Sequence, residues 1–106
     1  MDTSQLFDTL KAGVIALAKS TLQDYVSQAT QDGQNTIDQF ASDIERWAEK
    51  VASGDLTVDN VKFLAEGKKE LMEMKALEQI GIARIEIDNF KSGIVDLIVT
   101  TISKML

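Results

Sequence analysis

The chain has 106 residues, 44% of them hydrophobic and 26% charged, with 17 acids against 11 bases for a net charge of −6. That length fits one domain, here residues 1–106, and that balance is of a chain that folds, not of a disordered tail. Cysteine and histidine are both absent, which excludes disulfides, thiolate and imidazole metal centres, and mechanisms that need a cysteine nucleophile or a histidine base.

The acidic excess works against binding nucleic acid, where Lys and Arg must neutralise phosphates, and against adsorption to an anionic membrane. Met1 to Ser4 lack the basic region of a signal peptide. The densest apolar run, Ile94 to Leu106, is too short to span a bilayer and contains Asp96 and Lys104. A cytoplasmic location is the expectation.

Proline is absent and glycine occurs six times, too few turn formers for a β-rich domain of this size. An all-α fold follows. Asp2 or Thr3 can cap a first helix, with Gln5 three residues after Asp2 as in a capping box. Leu6, Leu10, Val14, Leu17 and Ala18 form its apolar stripe, which continues through Leu22 and Val26 with a shift of register. Asp32-Gly33-Gln34-Asn35 reads as a turn or kink. Ile37, Phe40, Ile44, Trp47 and Val51 then alternate steps of three and four, a heptad seam.

The strongest punctuation lies mid-chain, at residues 53–57. Gly54 can end a helix in the left-handed conformation, and Thr57 can cap the next with Asp59 in its first turn. Val61, Leu64, Leu71, Met74 and Leu77 follow, then Ile80, Ala83, Ile87, Phe90, Ile94, Leu97 and Met105. Ile80, Ile82, Ile85 and Ile87 carry some strand-like alternation around Gly81, but the flanks are good helix formers and helix is predicted throughout.

The simplest architecture is an antiparallel hairpin of two long helices, each of about 50 residues and about 75 Å, with its turn near 53–57. Gly13 then lies opposite Gly93, and Gly33 opposite Leu77 and Gly81. The alternative is a single-chain four-helix bundle with bends near Gly33 and Gly81.

The apolar arc of the hairpin widens at one end. It covers roughly 120° of the wheel between Ile37 and Val51, roughly 180° between Leu6 and Leu22, and about 200° from Ile94 to Leu106. One antiparallel neighbour covers about a third of a helix surface. Phe7, Ile15, Val95, Val99, Ile102 and Leu106 occupy the outer margins of the wide arcs. They are the candidate interface through which the hairpin dimerises into a four-helix bundle or docks on another helical protein; in the single-chain four-helix bundle the same wide faces are ordinary core.

Chemistry finds little support. Glu66, Glu70, Glu73 and Glu78 are interleaved with Lys68, Lys69 and Lys75, as on a solvated face with ion pairs one turn apart. Asp55, Thr57, Asp59 and Glu66 have the offsets of a calcium loop. Asn60 stands at the required glycine, however, and Lys62 at the aliphatic position, so a helix cap is the better reading. Gly67 to Lys69 lacks the rest of a phosphate loop. No catalytic, cofactor or metal residue is assigned.

Trp47 just before the central turn of a hairpin of about 100 residues is similar in layout to the small secreted helical-hairpin proteins known for a Trp-x-Gly turn. The resemblance implies a hairpin and ends at size and layout, because Glu49 stands where their glycine would. The expectation is a structural or interaction protein without catalysis, acting through helix packing and self-association. The alternative is an amphipathic protein that coats a lipid or polymer surface.

Overall fold

The computed structural model describes residues 3–105. Six α-helices make it up: α1 (Thr3–Thr21), α2 (Val26–Gln39), α3 (Ala41–Ser53), α4 (Val58–Gly67), α5 (Lys75–Gln79) and α6 (Arg84–Lys104). Single 3-10 turns, Gln23–Tyr25 and Lys69–Leu71, lie in two of the connections. The described residues contain no strand, and the isoleucine alternation around Gly81 ends in the first turn of α6. The all-α expectation holds.

The two unbroken arms of about 50 residues do not form. The described residues extend over 42 × 24 × 20 Å, far short of such a hairpin. The first arm breaks at Leu22–Tyr25 and not at Gly33. Ser20 and Thr21 both turn their hydroxyls onto the Leu17 carbonyl, at 3.0 and 2.7 Å, a local bond that competes with continuing the helix. Leu22 then leaves helical geometry at φ −134° and ψ 59° while its side chain stays buried. The register shift of the stripe at Leu22 and Val26 marks this corner. The expected capping at Asp2 lies outside the described residues.

Gly33, the expected bend, is buried inside α2. A Cβ there would lie 2.5 Å from Val14 Cγ1 and 3.3 Å from the Phe90 ring, so glycine lets α2 come close to α1 and leaves room for the Phe90 ring of α6. The helix bends instead at Phe40 (φ −103°, ψ 18°). Its hydrogen-bond ladder continues through the bend, from Phe40 N–H to Thr36 O and from Ile44 N–H to Phe40 O. The heptad seam runs along this bent pair, with Ile37, Phe40, Ile44 and Trp47 buried and Val51 half-buried.

The central turn forms as expected. Gly54 takes φ 86° and closes α3 with paired backbone bonds, Gly54 N–H to Val51 O and Asp55 N–H to Lys50 O. Thr57 caps α4 in a reciprocal box: its hydroxyl accepts from Asn60 N–H at 3.1 Å, and Asn60 Oδ1 accepts from Thr57 N–H at 3.0 Å. Asn60, the residue that spoils a calcium loop, completes the cap. Gly81 (φ 79°) repeats the closure after α5, with Gly81 N–H to Glu78 O and Ile82 N–H to Leu77 O.

The second arm is broken over residues 68–83. Helix α1 runs antiparallel to both α2 and α6 and packs against each, and α6 also packs on α4. Towards α6, Gly13 faces Leu97 and Gly93 faces Leu17: a Cβ on Gly13 would sit 2.5 Å from Leu97 Cδ1, and one on Gly93 would sit 2.8 Å from Leu17 Cδ1. Gly13 and Gly93 were expected to face each other. Each instead receives a leucine one turn along. The buried side chains from α1, α2, α3, α4, α5 and α6 form one core cluster.

Trp47 is 4% exposed, so replacing it by alanine removes a buried aromatic. Trp47→Ala is expected to cost roughly 3–5 kcal/mol in denaturant unfolding, whereas Tyr25→Ala, at an exposed corner, should cost under about 1 kcal/mol. Equal effects would contradict the seam.

Candidate functional site

The residues expected to form an interface are divided by the structure. Val95 (2% exposed) and Ile102 are core residues of α6. Phe7 and Val99 are half-buried against that core, Ile15 is exposed, and Leu106 lies outside the described residues. The wide arcs have an intramolecular cause: α1 and α6 each pack against two helices, not one. Val95 and Ile102 are therefore unavailable to a partner.

The exposed apolar surface is elsewhere. Seven large hydrophobic side chains are exposed among the described residues, and five of them, Phe63, Leu64, Leu71, Ile80 and Ile85, fall between positions 63 and 85. Phe63, at 77% exposure, and Ile85, at 70%, stand out most. Isolated exposed leucines are ordinary; here the exposed apolar residues gather along one stretch of the chain, with an outward phenylalanine among them. Helix α4 turns Val61 and Ala65 inward, and Phe63, two residues from Val61 and so about 200° round the helix, points away from the core. The signal was present in the sequence, because Phe63 falls outside the apolar stripe that includes Val61 and Leu64.

Residues between positions 70 and 91 line an open groove of about 680 Å³. Glu70 of the second 3-10 turn, Glu78 of α5, Ile82 of the connection, and Arg84, Ile87, Asp88 and Lys91 of α6 line it. Three acids, two bases and two isoleucines share the groove, so both charge signs are present beside apolar surface. The segment 58–85 is itself neutral. Asp59, Glu66, Glu70, Glu73 and Glu78 are matched by Lys62, Lys68, Lys69, Lys75 and Arg84, leaving the net charge of −6 on the rest of the chain.

A second, smaller groove of about 340 Å³ is lined by Asp32, Asn35, Gln39, Glu73 and Lys75. Asp32 is buried and its carboxylate is already engaged. Oδ1 accepts from Ala76 N–H at 3.0 Å and Oδ2 from Leu77 N–H at 2.8 Å. These are free donors in the first turn of α5, where a negative charge is favoured, and α5 has no side-chain cap of its own. The acid that a sequence reading takes for part of a turn is thus the cap of a helix elsewhere in the fold, opposite Leu77 as the antiparallel register requires. Gln39 Nε2 donates to the Leu71 carbonyl at 3.2 Å and fixes the neighbouring connection.

No group of three or more acids gathers where a metal could be held among the described residues. Asp55 bonds Ser53 and Thr57 bonds Asn60. Lys75 reaches Glu73 at 3.0 Å, an exposed pair worth little. Among the described residues no helix is long and apolar enough to cross a membrane. Models of known protein families, curated proteins and solved structures contain no match to the chain.

Two outcomes test this placement. Asp32→Ala leaves two buried or part-buried donors without their carboxylate and should lower stability by roughly 2–4 kcal/mol, read by urea unfolding, with Asp32→Asn intermediate. Val95→Glu buries a charge without a partner and should abolish most of the helical circular dichroism, whereas an interface valine so changed would leave a folded protomer.

Proposed function

We propose that this chain is an interaction protein without catalysis of its own, which works through helix packing and self-associates as a dimer. The observation that carries the reading is the segment between Phe63 and Ile85. It combines strongly exposed apolar side chains with zero net charge in a chain that is otherwise acidic. Two copies meeting through their acidic remainders would repel; two copies meeting through this segment would not.

The chemistry of the groove fits the same reading. General acid–base work needs carboxyls whose surroundings separate their proton affinities. The acids here lie in an open groove beside Arg84 and Lys91. Apolar surface with both signs of charge favours a protein partner, whose own residues supply the complementary charges. The lipid-coat alternative asks for long unpartnered apolar faces, and the long apolar stripes of α1, α2, α3 and α6 face the core.

Sedimentation velocity and equilibrium over micromolar concentrations should reveal a reversible dimer of the 11.7 kDa chain. A monomer at every concentration, including in low salt, would remove self-association from the reading.

A further inference from the structure

We infer that two copies of this chain exchange halves, α4–α6 of each packing on α1–α3 of the other, with the Gly54 turn as the hinge. The inference rests on the reading of the chain as a self-associating interaction protein and names the contact.

The occupant of each site is the one that the structure seats there. The chain divides at its central turn into residues 3–53, which carry α1, α2 and α3, and residues 58–104, which carry α4, α5 and α6. Each half has packing of its own, α1 on α2 and α4 on α6. The halves are held together by α1 on α6 and α2 on α5, and the ties across that seam are specific. Leu97 lies over Gly13 and Leu17 over Gly93. Asp32 accepts from the Ala76 and Leu77 amides, and Gln39 donates to the Leu71 carbonyl. A second copy offers the same half with the same side chains, so each of these contacts can form between two chains as it forms within one.

The hinge is separate from the seam. Helices α3 and α4 flank the turn but make little close contact with each other. The hydrogen bonds of the turn are local: Gly54 N–H to Val51 O, Asp55 and Leu56 N–H to Lys50 O, Ser53 to Asp55, and Thr57 with Asn60. Residues 52–55 and 57 are exposed, and a Cβ on Gly54 would meet nothing within 4 Å. Gly54, at φ 86°, is the residue that turns the chain back. The chain has no proline, so helical geometry at 54–57 would run α3 into α4 as one helix about 40 Å long. That helix parts the two halves of one chain and leaves each to the complementary half of the other copy. The half that moves includes the whole of the neutral segment 58–85, so like charge does not oppose its seating.

A substitution at the hinge separates exchange from surface contact. Gly54→Ala strains the turn, because alanine resists a φ of 86°, and favours the continuous helix, where alanine is the better helix former. Each hinge should shift about tenfold towards the open form, and because the dimer opens two hinges its association constant should rise about a hundredfold. Sedimentation equilibrium of wild type and variant, each incubated to constancy, reads the change. The absence of cysteine provides a second arm. Gln39→Cys and Leu71→Cys proteins are unfolded together and refolded as a mixture, and the dimer fraction is treated with a short bismaleimide. Positions 39 and 71 adjoin across the seam, so the two subunits of a mixed dimer should become covalently joined. Both substitutions in one chain should instead link within that chain in the monomer fraction.

A dimer whose association constant Gly54→Ala leaves unchanged, or whose mixed subunits stay unlinked while the double variant links within its own chain, overturns the exchange and leaves self-association standing. A wild-type monomer at every concentration overturns both the exchange and the reading beneath it.

Discussion

Two leucines set over two glycines bring the ends of the chain together. Leu97 lies over Gly13 and Leu17 over Gly93, so α1 and α6 exchange the same contact in both directions. The missing Cβ atoms let each leucine approach the opposing backbone, and close contact along the helices multiplies small dispersion gains. The rest of the architecture depends on this closeness. With α6 on one side of α1, the third glycine, Gly33, admits α2 on another, against Val14 and Phe90. The ion pair between Lys11 and Asp38 at 3.0 Å lies on the same antiparallel path but is exposed and follows from the packing.

That geometry reassigns the broad apolar arcs of α1 and α6. A helix with one neighbour needs a narrow stripe; a helix held between two needs a wide one. The wheel reports how many neighbours a helix has, and not whether they belong to the same chain. Reading the surplus at Val95 and Ile102 as an intermolecular surface attributed to a second protomer what α1 and α4 supply within the first.

The sequence was most informative where a local signal determines a local structure. Gly54 and Thr57 specify a helix end and a helix start within four residues, and both formed. The seam from Ile37 to Trp47 is buried because its spacing matches a helix face. The corner at Leu22 was hidden for a physical reason: Ser20 and Thr21 end α1 through hydroxyl bonds to Leu17, and the same residue types also occur inside helices. Gly33 misled for the opposite reason, since glycine serves close approach as well as turns. Phe63 lies between the stripes, where no helical periodicity includes it, and Ile85 enters the sequence only as part of the strand-like alternation around Gly81. Leu64, Leu71 and Ile80 follow the stripe and are nonetheless exposed, because the second arm is broken where they stand.

The tie from Asp32 to α5 has a consequence for how the fold opens. Helix α5 has five residues, far below the length at which a helix persists alone in water, and its first-turn amides are held by a carboxylate 44 and 45 positions earlier in the chain. Its order is therefore borrowed from α2. Local fraying of α5 with α2 in place would have to break two charge-assisted bonds for a single turn of helix, while loss of α2 releases both at once. Solvent exchange at the amides of Ala76 and Leu77 accordingly measures the opening of α2, and places α5 in the same cooperative unit as a helix far from it in sequence.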